Sequence, residues 1–154
     1  MPKLNSSLRI LVAGYVAIWA VLASAGELHA LVKDQNGQPI EDAVVLATPV
    51  GGKPAAPRRQ GRDELDQMDK TFVPYVKVVT VGSKVYFPNK DDIKHHVYSF
   101  SPAKVFELKL YAGVSAPPVL FDRTGPVTLG CNIHDWMIAY IYVSESPYLA
   151  KTGA

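Results

Sequence analysis

The chain has 154 residues, 48% of them hydrophobic and 19% charged, with 16 Lys and Arg against 14 Asp and Glu. That length suggests one domain and at most two. The composition is that of a globular protein without low-complexity tracts or repeats, and the near balance of charge excludes binding of nucleic acid by bulk electrostatics.

Residues 1–25 read as a secretory signal. Met1 to Arg9 carries Lys3 and Arg9 and no acid, Ile10 to Ala23 is apolar apart from Gly14, and Ala23-Ser24-Ala25 has the small-x-small cleavage pattern. The apolar run of about 14 residues is short for a membrane span. The expectation is export to the periplasm, cleavage near Ala25, and residues 26–154 as a single domain with no membrane span. Removal of Lys3 and Arg9 leaves 14 basic against 14 acidic side chains, so the net charge gives no sign of how a partner would be steered.

Leu28 to Val32 and Ala43 to Thr48 read as two short strands around the turn Asp34 to Pro39, where Asn36-Gly37 accepts positive φ. His29 reads as an exposed strand residue. Pro49 to Gly61 is a loop by composition, with Arg58, Arg59 and Arg62 as solvated charges. Asp63 to Lys70 suggests one or two helical turns, with Asp63 as cap and Leu65 and Met68 at i, i+3. A short helical or loop insertion is therefore expected around residues 50–70.

From Phe72 onward the pattern is β. Strands are expected at Tyr75 to Val81, Lys84 to Phe87, Val97 to Phe100, Val105 to Tyr111, Val119 to Phe121, Val127 to Gly130 and Met137 to Val143. In the last of these Ala139, Ile141 and Val143 should face one way and Ile138, Tyr140 and Tyr142 the other. Many short strands with turns at close intervals predict an all-β protein, a β-sandwich or barrel. Tyr148 to Ala154 reads as a partly mobile tail.

Cys131, the only cysteine, opens the run Cys131-Asn132-Ile133-His134-Asp135-Trp136-Met137, and His95-His96 lies upstream. A lone cysteine in an exported chain pairs between chains, stays free or binds a metal. Thiolate, two imidazoles and a weak thioether are the ligands of a blue-copper site.

Val85 to Asn89, Asp91 to Val97, Phe121 to Gly125 and the Cys131 loop together resemble the cupredoxins, small Greek-key β-sandwiches. The Cys-x2-His-x2-Met spacing is similar to the short ligand loop of amicyanin, the electron carrier of bacterial methylamine oxidation. The resemblance implies one type 1 copper per chain held by His95, Cys131, His134 and Met137. Aligning on Val97 makes His95 the ligand and puts His96 in a place commonly held by Asn; strand alternation keeps both from pointing into one site. His96 and Asn89 are the candidates for supporting hydrogen bonds. Trp136, Pro117 and Pro118 are candidates for an apolar docking patch around His134.

The expected function is a periplasmic carrier of single electrons between redox proteins. The partner would be a c-type cytochrome, a dehydrogenase or an oxidase met by transient contact. The alternatives are a copper-handling protein without redox cycling and a non-redox β-sandwich binding module. No Ser/His/Asp set, phosphate-binding loop or paired-carboxylate motif is evident, so no independent enzyme activity is expected.

Overall fold

The computed structural model describes residues 27–52, 62–113 and 117–153. The expected signal segment and most of the Pro49 to Gly61 loop lie outside these residues. In chain order the strands are β1 (Val44–Leu46), β2 (Asp63–Glu64), β3 (Asp66–Met68), β4 (Thr71–Val73), β5 (Val76–Thr80) and β6 (Ser83–Tyr86). They continue as β7 (His95–Ser101), β8 (Lys104–Tyr111), β9 (Val119–Phe121), β10 (Gly125–Gly130), β11 (Ile138–Ser144) and β12 (Leu149–Lys151). The described residues contain no helix, and none is therefore long and apolar enough to cross a membrane.

Two sheets face each other over one core. The larger has the order β5-β11-β10-β7-β8 and the smaller β2-β6-β9. Val85, Val119 and Phe121 from the small sheet pack with Val97, Val127, Leu129, Ala139, Ile141 and Val143 from the large one. The alternation expected in the last long strand is present: Ala139, Ile141 and Val143 are buried, while Ile138 and Tyr140 are exposed. Gly82 makes the tight connection from β5 to β6 at φ +87, a conformation that favours glycine, and its N–H donates to Phe121 O. The result is an all-β sandwich.

Three local expectations are corrected. Asp63 to Lys70 forms β2, β3 and a turn rather than helix. Leu65 and Gln67 both point inward at a spacing of two, whereas Met68 is exposed. The amide of Gln67 replaces an apolar group there, donating to Phe87 O and Tyr111 Oη. Leu28 to Val32 forms no strand. Leu28 and Leu31 find no sheet to cover them and are exposed, and only an isolated bridge joins Lys33 to Pro39. The turn between is as read, with Asp34 accepting from the N–H groups of Asn36 and Gln38 and Gly37 at φ +80. The tail is ordered by a non-local partner: β12 pairs antiparallel with β1, from Val44 opposite Lys151 to Leu46 opposite Leu149.

Candidate metal centre

Strand β7 sends alternate side chains to opposite faces, although His96 on the outer face is buried as well. His95, Val97 and Ser99 are buried toward the core, and Phe100 is exposed on the outer face. At the start of β7 the pairing slips, His95 lying opposite Tyr111 but Val97 opposite Leu108, so β8 carries an extra residue. The bulge turns Tyr111 inward beside His95. Strand β10 ends at Gly130 and delivers Cys131 to the same end of the sandwich. The chain then makes a tight turn, closed by Met137 N–H donating to His134 O at 3.0 Å, before entering β11.

These three elements bring His95, Cys131 and His134 together. One ligand-type atom from each lies within 4.8 Å of the others, and all three residues are buried. The two imidazole rings are 5.1 Å apart, centroid to centroid, and edge-on at 62°.

No family model matches the chain, and no curated protein matches it. Solved structures do. A copper-containing nitrite reductase from Thermus scotoductus SA-01 superposes with a TM-score of 0.52 at 22% identity, over 64% of this chain and 25% of that one. The chain thus spans about a quarter of that reductase. A reduced Cu(I) amicyanin variant at pH 4 matches with a TM-score of 0.50 at 18% identity, over 60% of this chain and 92% of its own. A second reduced amicyanin variant gives the same score and identity over 56% and 86%. The fold is that of a cupredoxin.

The donor set of this cupredoxin fold fits a copper ion. His95 Nε2 is engaged by Asp91 Oδ2 at 2.6 Å, which leaves Nδ1 free. Nδ1 of His95 and Nδ1 of His134 are both buried without a hydrogen-bond partner. An unsatisfied buried polar atom costs about 1–3 kcal/mol, and a metal ion shared with the Cys131 sulfur would relieve both. Thiolate and imidazole are donors that suit copper, so the group could hold one copper ion.

The remaining candidates divide by position. Met137 is buried in the core three residues beyond His134. His96 points to the other face of the sheet, where Nε2 meets Glu107 Oε1 at 2.8 Å and the ring lies 5.6 Å from that of Tyr98. Asn89 touches neither imidazole through a hydrogen bond. It donates to Ile93 O and Tyr111 O and accepts from Asp91 N–H, fixing the loop between β6 and β7. Trp136 and Pro117 are exposed, and Pro118 is half-buried. The Trp136 ring lies 5.1 Å from the His134 ring.

Two side chains that the sequence reading passed over line the site. Asp91 is the partner of His95. Burial opposes its ionisation, but hydrogen bonds from Lys70 N–H, His95 and Asp69 N–H, with the charge of His95, outweigh that and hold its carboxyl below the usual range. Tyr111 donates to Phe87 O and accepts from Gln67 Nε2. Burial pushes its phenol up to about 12, Gln67 acting against the rise and Cys131 adding to it. The spacing of Asp91 four residues before His95 was the available signal for the first. The bulge that turns Tyr111 inward left none in the sequence.

Proposed function

We propose that His95, Cys131, His134 and Met137 hold one type 1 copper ion and that the chain is an exported, periplasmic carrier of single electrons. The observation that carries the reading is the buried His95, Cys131 and His134 group, whose ligand-type atoms lie within 4.8 Å of one another, together with the unpartnered Nδ1 atoms of its two histidines. Bound copper supplies a one-electron Cu(II)/Cu(I) couple, taking an electron from a reducing partner and yielding it to an oxidising one. The protein's own part is to hold the donors still. A sandwich core behind His95 and Cys131 and a short turn at His134 restrict their movement, which keeps the cost of changing oxidation state low.

His134 is the ligand nearest the surface, at 9% exposure against 0% for His95 and 4% for Cys131. Trp136 is 64% exposed and Ile133 47% exposed on either side of it in sequence. With the exposed Pro117 and the half-buried Pro118, they would supply the apolar surface by which a c-type cytochrome, dehydrogenase or oxidase docks briefly. Among the described residues there is one metal-competent group, which suits a carrier of one electron.

The test is to add Cu(II) to the purified protein and record visible absorption and electron paramagnetic resonance. An intense thiolate-to-copper band with narrow copper hyperfine splitting, bleached by a mild reductant and lost in Cys131→Ser, is the expected result. A colourless protein, or one that takes only Cu(I), would overturn the electron-carrier reading in favour of copper handling or a plain binding module.

A further inference from the structure

The hairpin β3–β4 turns through Asp69 and Lys70, with Met68 opposite Thr71. Both turn residues have positive φ, 54° and 56°. Hairpin turns of this hand normally take Asn-Gly or Asp-Gly, and a lysine in left-handed conformation is disfavoured. Strained residues of this kind persist where their surroundings over-determine them.

Asp91 is that surrounding. Its Oδ1 accepts the Asp69 N–H at 2.7 Å and its Oδ2 accepts the Lys70 N–H at 2.9 Å. Two successive backbone N–H groups aimed at one carboxylate form an anion-holding nest. The same Oδ2 meets Nε2 of His95 at 2.6 Å. On its other side the turn offers Lys70 O, which accepts the indole N–H of Trp136 at 3.1 Å. The Trp136 ring packs on His134, and His134 on His95, each at 5.1 Å. A closed circuit therefore runs from His95 through Asp91, the Asp69–Lys70 turn and Trp136 to His134.

We propose that the Asp69–Lys70 turn is a brace that positions both imidazoles of the site at once, with Asp91 as its arm to His95 and Trp136 as its arm to His134. Asp91 and Trp136 are positioning residues, and the proposal rests on the reading that these histidines hold copper. Asp91 places a negative charge behind His95, which makes the imidazole a stronger donor and favours Cu(II) over Cu(I). Trp136 is exposed on its outer side yet tethered by its N–H, so the surface around His134 is held against the His134 ring. The segment that carries the brace lies outside the sheets that hold the ligands, and the local β3–β4 hairpin accounts for its placement.

The test compares Asp91→Asn, Trp136→Phe and the double variant in two states. In metal-free protein, amide exchange at Asp69 and Lys70 should quicken in Asp91→Asn, because an amide side chain cannot accept both N–H groups and the imidazole. In Cu(II)-loaded protein, Asp91→Asn should weaken metal affinity about 10- to 100-fold. Trp136→Phe, which keeps an exposed ring and should fold, should weaken it less. The double variant should lose less than the product of the two single losses, since both arms act through one turn. Unchanged Asp69 and Lys70 exchange with unchanged affinity, or losses that simply multiply, would overturn the brace. Wild-type protein that binds no Cu(II) would instead sink the copper reading alone, and the metal-free exchange would still decide whether Asp91 holds the turn.

Discussion

The imidazoles of His95 and His134 stand edge-on with centroids 5.1 Å apart, each with a buried Nδ1 that meets no hydrogen-bond donor. Such an arrangement is costly when empty of a partner atom and favourable around a cation. Copper binding should therefore stabilise the fold as well as colour it. At free Cu(II) 100-fold above Kd the gain is about 2.7 kcal/mol, which for a chain of this size raises Tm by roughly 2–4 °C per kcal/mol. Differential scanning calorimetry with and without Cu(II) should show the rise in wild type. It should vanish in Cys131→Ser.

Met137 is 1% exposed and belongs to the core cluster as well as to the proposed ligand set. Two substitutions separate those roles. Met137→Leu conserves volume and should cost less than about 1.5 kcal/mol of stability, whereas Met137→Ala should cost about 2–5 kcal/mol. If the thioether meets copper, Met137→Leu should also raise the reduction potential by removing a donor that favours Cu(II). A potential unchanged in Met137→Leu would leave Met137 as a core residue only.

Much of the metal group was legible because its chemistry is compressed into one loop: Cys131, His134 and Met137 occur within seven residues, and a lone thiol beside imidazole has few uses. The family resemblance, aligned on Val97, favours His95 over His96, while strand alternation says only that the two histidines part; the structure puts His96 on the opposite face against Glu107. Asp91 was passed over: its place four residues before His95 was the one signal, and a polar break that holds both Asp91 and Asp92 does not say which acid turns back. Asp63 to Lys70 misled for a physical reason: Gln67 occupies an inward strand position and is satisfied there by Phe87 O, so the apolar pattern that remained, Leu65 and Met68, imitated a helix. The pairing of Leu149–Lys151 with Val44–Leu46 spans about a hundred residues of chain and has no local signal.

Tyr111 gives a pH signature. Its phenol is raised by burial to about 12 from an ordinary value near 10. A group whose pKa is raised in the folded state contributes stability that is whole below the unfolded pKa and is lost as pH climbs through the folded one. Wild type should thus lose stability between about pH 10 and 12, and Tyr111→Phe should lose less over that interval. Urea unfolding at pH 9 and at pH 11.5 measures the difference, and parallel losses in the two proteins would refute the assignment.

Lys70 holds a left-handed conformation that glycine takes freely. Lys70→Gly keeps the N–H that Asp91 accepts and the C=O that Trp136 donates to. Relief of the side-chain penalty, about 1–2 kcal/mol, is partly offset by the greater freedom of glycine in the unfolded chain. A small net stabilisation is expected, with the copper spectrum unchanged. A shifted spectrum would mean that the lysine side chain, not its backbone, matters at the site.

Gly130 immediately precedes Cys131, and a Cβ placed on it would lie 2.7 Å from Tyr98 Cζ and 2.8 Å from its Oη. Tyr98 lies between His96 and Phe100 in a row of rings on the outer face, 5.6 Å and 5.3 Å from them, so it cannot swing away without breaking that row. Gly130→Ala should therefore cost roughly 1–3 kcal/mol, the usual range for overpacking. Part of the strain should reach the adjacent Cys131, shifting the thiolate-to-copper band. Tyr98→Leu removes the ring atoms that clash, so Gly130→Ala made in that background should cost markedly less, and the band should return toward its wild-type position. Chemical denaturation of the four proteins in the cycle gives the coupling between the two positions. A coupling near zero would show that the backbone, rather than Tyr98, absorbs the added methyl.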